Sequence, residues 1–318
     1  MMRRVLSFRP GLLAFWCALA VTNIPTAAKA ADAWPENCKL QLAASLPFII
    51  EDGHVRITAA VNDVPRRFAI DTGGLLSMVT EKVAEEQKLK TLPIAQNIRI
   101  HGLGGGRLAR YAVADTLTFA HLKATNVHLL MTPGGNAGED GVIAPDYLRN
   151  FDLEFDFAAK TLNLFHPHRC ADHVVYWSSP TVVLPLSIND QGHIEVPVTL
   201  DGQELQAMLD TGTYATLIGA RTATAKFQIT PSGMGDIGLH GAAGGATRAA
   251  RQLFHTLQFG DLAINNPPLL VTENETAWRS QHADILLGLN ELRRLHLYIA
   301  YREKKLYLSP GPAPDATP

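Results

Sequence analysis

The stretch FAIDTGGLLSMVT, Phe68 to Thr80, places a carboxylate, Asp71, directly behind an apolar run that reads as a buried strand. Burying an unpaired carboxylate is costly or forces its pKa upward, so an acid in this position needs a partner or a task. The layout returns in LQAMLDTGTYATLI, Leu205 to Ile218, where Asp210-Thr211-Gly212 repeats Asp71-Thr72-Gly73.

Other landmarks keep the same register. GHVRITAAV, Gly53 to Val61, matches GHIEVPVTL, Gly192 to Leu200, at an offset of 139 residues. The two aspartates share that offset, and so do His101-Gly102 and His240-Gly241. Three landmarks in one register identify an internal duplication. A later pair, DGVIAPDYL with Ala144 and DILLGLNEL with Gly288, is offset by 144, so about five residues have been inserted in the second copy.

Each copy reads as strands. Val55, Ile57, Ala59 and Val61 alternate with polar or small residues, as do Ile194, Val196, Val198 and Leu200, the period of a half-buried strand. Asn62-Asp63 and Asp201-Gly202 supply hairpin turns. Return strands over Arg67 to Ile70 and Gln206 to Leu209 deliver the aspartates, and short helices follow over Thr80 to Leu89 and Gly219 to Phe227. NIRIHGLGGGRLARY and DIGLHGAAGGATRAA, with glycines between β-prone arms, read as mobile hairpins whose backbone can approach a ligand closely. The expected organisation is a signal peptide over 1–30, an arm over 31–43, lobes over 44–165 and 182–308, a connector over 166–181 and a disordered tail over 309–318.

The 318-residue chain is 47% hydrophobic, enough for two lobes with a real core. Its start carries Arg3, Arg4 and Arg9, an apolar run from Gly11 to Val21, and Ala28-Lys29-Ala30 as a cleavage site, the pattern of an export signal. That run is well short of the roughly 20 residues a spanning helix needs, so no stable membrane anchor is expected after cleavage. Cleavage would take the net charge from −2 to −6. No basic run interleaved with aromatics is present, which argues against nucleic acid or an anionic membrane as partner. Periplasm or secretion is the expected location. Cys38 and Cys170 form a candidate disulfide in an oxidising compartment, a pairing the sequence leaves open. His166, His168, Cys170 and His173 crowd together in HPHRCADH, but their spacing fits no zinc pattern and the segment reads as a polar connector. No metal or cofactor is expected.

Two aspartates brought together on a pseudo-symmetry axis about 3 Å apart cannot both ionise, so they share a proton and titrate as a pair. One then acts as base and the other as acid on a water and an amide carbonyl. Gly73 and Gly212 let the chain turn so that the carboxylates face each other, and Thr72 and Thr211 can hydrogen-bond across the axis. The glycine hairpins would close over an extended peptide.

On these residues the chain resembles a retroviral-type (retropepsin-like) aspartic protease duplicated in one polypeptide, similar in plan to the two-lobed pepsin family. The resemblance rests on Ile70-Asp71-Thr72-Gly73, Leu209-Asp210-Thr211-Gly212, IHGLGG, LHGAAGG and Leu286-Leu287-Gly288. It implies a mainly β fold of two pseudo-symmetric lobes with Asp71 and Asp210 as the catalytic pair. Flaps are then expected over Ile100 to Arg107 and Leu239 to Thr247, using His101, Gly102, Gly104, Gly105, His240, Gly241, Gly244 and Gly245. A monomer acting on peptides or proteins is also implied. Three departures stand out: Ala144 replaces a family glycine, neither flap has the tyrosine of pepsin's flap, and Gly74 follows the first motif where Thr213 follows the second. A hydroxyl at that place lowers the pKa of the neighbouring carboxylate, so Asp210 is expected to ionise first and Asp71 to hold the shared proton.

Simpler readings exist. Either Asp-Thr-Gly alone is an ordinary turn. The glycine loops lack the Lys-Ser/Thr of a phosphate cradle, and His101 and His240 read as cleft-edge residues rather than ligands or bases. An exported peptide-binding or scaffolding protein with an inactive cleft is the alternative, although a binder has no need of both intact motifs.

Overall fold

The structure is a computed structural model, which describes residues 40–95, 100–101, 106–133, 138–167, 174–177, 181–229, 237–241, 245–273 and 283–312. The expected export signal and both Cys38 and Cys170 lie outside the described residues, as do His168 and His173.

The duplicated sequence folds as duplicated β structure. Strand His54–Val61 turns through Asn62 (φ 49°) and Asp63 (φ 62°) into Val64–Ile70. Ile194–Leu200 turns through Asp201 (φ 44°) and Gly202 (φ 79°) into Gln203–Leu209. Both central residues of each turn are left-handed, the conformation that two-residue hairpins require and that Asn, Asp and Gly tolerate.

The segments sharing the 144-residue offset do not extend the hairpins; they thread into them. Gly141–Ile143 lies between Val64–Ile70, to which it is parallel, and Met78–Thr80, to which it is antiparallel. Ile285–Leu287 lies in the same way between Gln203–Leu209 and Leu217–Gly219. Each aspartate loop therefore arches around the end of a buried strand whose residues are all apolar or glycine. An acid pins the start of each insertion: Asp140 and Asp284 accept the backbone N–H groups of Arg67 and Gln206 at 2.9 and 3.0 Å.

A third sheet joins the repeats. Among the described residues it has six strands, in the order Leu42–Pro47, Thr161–Phe165, Asp152–Asp156, Leu295–Ala300, Lys305–Pro310 and Val182–Pro185. The seam pairs Leu153 with Ile299 and Phe155 with Leu297. Their inward side chains belong to one apolar core that runs through both repeats. Burial at this seam makes the two lobes one folded body rather than two independent domains.

Three expectations move. Ser309 and Pro310, assigned to a disordered tail, pair with His296 and Leu295, and Ser309 is fully buried. Leu42 and Ala43, assigned to the arm, begin the first strand of the joining sheet. The helix after the first motif spans Glu81–Glu86, capped by the Thr80 hydroxyl on Val83 N–H at 3.3 Å, and ends early because Lys88 turns left-handed (φ 53°). Its counterpart is Ala220–Phe227.

Candidate active site

Asp71 and Asp210 stand at the ends of equivalent strands, and their backbone N–H groups donate to the carbonyls of Ile143 and Leu287, each at 3.0 Å. The threaded strands therefore set the height of both acids. The two side chains meet in a hydrogen bond across the interface between the repeats. Each also accepts from its own loop, Asp71 Oδ1 from Gly73 N–H at 2.9 Å and Asp210 Oδ1 from Gly212 N–H at 2.8 Å.

Beneath the acids the threonines interlock. Thr72 N–H donates to Thr211 Oγ1 and Thr211 N–H to Thr72 Oγ1, both at 3.1 Å. Each hydroxyl donates in turn to the opposite repeat, Thr72 to Leu209 O at 3.0 Å and Thr211 to Ile70 O at 2.8 Å. Both side chains are buried, and their donors and acceptors are satisfied across the axis.

The glycines of both motifs are demanded by contact rather than by a left-handed backbone. A Cβ at Gly73 would lie 2.4 Å from Asp210 Cγ, and one at Gly212 would lie 2.3 Å from Asp71 Cγ. Only hydrogen there lets the carboxylates close on each other. Gly53, by contrast, has φ 77° and packs against Tyr214 of the other repeat. Arg293 stacks over that tyrosine ring at 5.7 Å.

The pair is not symmetric. Thr213 Oγ1 donates to Asp210 Oδ2 at 3.0 Å. At the matching place a Cβ on Gly74 would sit 2.8 Å from Asp71 Oδ2 and 3.2 Å from the methyl of Ala144. The Ala144 methyl is thus tolerated because residue 74 has no side chain, and Asp71 receives no hydroxyl there. In the second repeat the arrangement is reversed: Thr213 carries the hydroxyl, and a Cβ at Gly288 would meet Ala215 O at 2.4 Å.

Electrostatics follow this asymmetry. Burial, then the Asp210 charge and the hydrogen bond with Asp210, hold the Asp71 carboxyl well above the usual carboxylate range. Burial also raises Asp210, but the Thr213 hydroxyl, the hydrogen bond from Asp71, the Gly212 N–H and the nearby His193 oppose it. The Thr213 hydroxyl favours the Asp210 anion and Asp71 has no such donor at Gly74, the direction of asymmetry expected from those two residues.

The hairpins expected to cover the pair are rooted beside it. Ile100 pairs with Leu108 and His101 with Arg107. Ile237–His240 pairs with the start of Ala246–Leu253, and Gly241 N–H donates to Gly245 O at 2.9 Å. Ile100 and Leu108 pack in an apolar cluster with Met78 and Val142, against which Leu75 and Leu76 of the first aspartate loop also lie. Ile237 and Leu239 pack similarly with Met208, Leu286 and Ala215. His240 is exposed. The side chain of His101 and residues Gly102, Gly104, Gly105 and Gly244 lie outside the described residues.

Sequence reasoning missed His193, which is 4% exposed and bears on Asp210. Its signal was available, since His54 and His193 hold the same place in the repeat. It also missed the acids behind the loops, Asp146 and Glu291, whose partners Ser77 and Thr216 are related by the same 139-residue offset.

A mainly β chain of two like lobes, presenting one Asp-Thr-Gly loop from each to a common axis, has the architecture of an aspartic protease. The chain belongs to that family: the aspartyl protease profile matches it twice, over residues 57–146 and 196–290. Among solved structures it resembles the aspartic proteinase of Irpex lacteus at 13% identity and a TM-score of 0.54, covering 86% of this chain and 99% of that one. A retropepsin-like aspartic protease of Rickettsia conorii matches at 19% identity and a TM-score of 0.33, over 42% of this chain and 96% of that one. No curated protein sequence matches it significantly.

Proposed function

We propose that this chain is an exported aspartic endopeptidase that cleaves peptide bonds with a water activated between Asp71 and Asp210. The observation that carries the reading is the pair itself: two acids in contact, Asp210 buried and Asp71 partly so, oriented by reciprocal threonine bonds and made inequivalent by Thr213. Ionised Asp210 takes a proton from the water as its oxygen bonds to the carbonyl carbon, and protonated Asp71 gives its proton to the carbonyl oxygen. The tetrahedral diol then collapses. Asp210 returns its proton to the amide nitrogen, the C–N bond breaks, and a diol hydroxyl restores the proton on Asp71.

An extended peptide fits this site because the hairpins offer strand backbone to pair with it, while apolar clusters at their bases flank the acids. Both halves of the pair come from one chain, which supports a monomeric enzyme. Export rests on the basic, apolar and Ala-Lys-Ala pattern of residues 1–30. The test is cleavage of a peptide library over a range of pH by the wild type, Asp71→Asn and Asp210→Asn. Products from the wild type that both variants fail to make support the reading. Identical products from all three, or none from the wild type, refute it.

A further inference from the structure

Behind each aspartate loop lies an acid that the reaction above does not use. In the first repeat Asp146 Oδ1 accepts from Ser77 N–H at 3.0 Å and from the Ser77 hydroxyl at 2.7 Å, and Ser77 Oγ accepts Ala144 N–H at 2.9 Å. In the second, Thr216 Oγ1 accepts Gly288 N–H at 3.0 Å and donates to Glu291 Oε2, while Asn290 Nδ2 donates to Glu291 Oε1 at 2.9 Å. The peptide groups held in this way are the ones whose carbonyls, Ile143 and Leu287, receive the backbone N–H groups of Asp71 and Asp210. A continuous path therefore runs from carboxylate to hydroxyl to peptide to aspartate. Asp146 keeps partial exposure, whereas Glu291 is fully buried.

We propose that Glu291 is a positioning residue for Asp210, its ionised carboxylate fixing the Thr216 hydroxyl and, through the Leu287–Gly288 peptide, the seat of the Asp210 loop. The proposal rests on the peptidase reading for its consequence in catalysis. Both oxygens of Glu291 face donors, and Thr216 has a single proton to give. A proton added to Glu291 has no acceptor opposite it, so one of the two donors must turn away, and an unmatched polar group in a dry site is costly. Burial pushes Glu291 up to about 7 against the pull of Thr216, Asn290 and the Arg294 charge, which places this change near neutral pH. Among the described residues, Arg294 is a charged group bearing on Glu291. The loop faces it with the neutral Thr216, and the inward side chains of the strand Leu295–Ala300 are Leu295, Leu297 and Ile299, none titratable.

Glu291→Gln tests this, because an amide presents one acceptor and one donor and so imitates the protonated acid at every pH. In the wild type the amide shifts of Gly288 and Asp210 should titrate with a midpoint of about 7, and kcat should rise through the same step with KM little changed. In Glu291→Gln both titrations should vanish and kcat above neutral pH should fall roughly tenfold, the size expected for one lost buried hydrogen bond. Thr216→Ser, which keeps the hydroxyl, should retain wild-type behaviour. If Glu291→Gln does not fold, Asn290→Ala serves instead: removing one donor to the carboxylate should move the midpoint upward. Amide shifts that do not depend on Glu291, superimposable pH profiles, or an unmoved midpoint in Asn290→Ala overturn the proposal. A wild type that cuts nothing yet shows the Glu291-dependent amide titration refutes the peptidase reading and still supports the positioning.

Discussion

Replacing Thr213 by valine removes one hydroxyl and little else, because the two side chains have the same shape. That hydroxyl is the donor to Asp210 Oδ2 at 3.0 Å, and Asp71 has no such donor at Gly74. A hydrogen bond to a charged group contributes about 1.5–3 kcal/mol, and one pKa unit corresponds to about 1.4 kcal/mol, so Asp210 should become harder to ionise by about 1–2 units. The sign is fixed: the hydroxyl favours the charged form, and its loss raises the pKa. Because the base must be ionised, the acidic limb of kcat/KM should move to higher pH by that amount, as an apparent value of the coupled pair. The alkaline limb, set by loss of the proton from Asp71, should move less. Initial rates on one fluorogenic peptide across the full pH range measure both limbs. An acidic limb that stays in place, or moves down, would refute the assignment of Asp210 as the ionised partner.

Four further outcomes are expected. Thr72→Val leaves Thr211 N–H and Leu209 O without their partners in a buried site, so chemical denaturation should show a loss of about 2–4 kcal/mol. Gly212→Ala places a methyl where Asp71 Cγ now sits, so kcat should fall on the order of a hundredfold while circular dichroism keeps its β signature. Gly74→Ser alone should impair activity by crowding Ala144 and Asp71. Adding Ala144→Gly should recover it and draw the alkaline limb down, as a new hydroxyl favours the Asp71 anion. Glu291, raised in the folded state from 4.5 to about 7, stabilises the fold in its protonated form below its unfolded pKa and loses that contribution as pH rises through about 7. The loss amounts to about 3 kcal/mol by linkage, and denaturation of Glu291→Gln across that interval should show a correspondingly flatter pH dependence.

What could be read from the sequence was local or repeated. Asn62-Asp63 and Asp201-Gly202 are turn residues for a reason contained in their own backbones, and the alternation of Val55 to Val61 is a property of a strand with one buried face. Asp-Thr-Gly gained its meaning from recurring at a constant offset, since a second copy in register implies that two like surfaces can meet on an axis. The threonine exchange across that axis could be anticipated from residue type alone.

Other features depend on which distant strands become neighbours. No local pattern says that Gly141–Ile143 and Ile285–Leu287 thread between the strands flanking each aspartate, because a short apolar run reads the same at an edge or in the middle of a sheet. Nor does it say that three strands from each repeat close one shared sheet, which is why Ser309 was mistaken for tail. The match of the Ala144 methyl to the missing side chain of Gly74, and the reach of Glu291 and Thr216 to the seat of Asp210, exist only once those strands are in place. Sequence by itself determined that there are two like halves and one acid loop in each. Tertiary structure decided that the two acids meet on one axis and which distant groups bear on them, because close contact and burial are properties of the assembled chain.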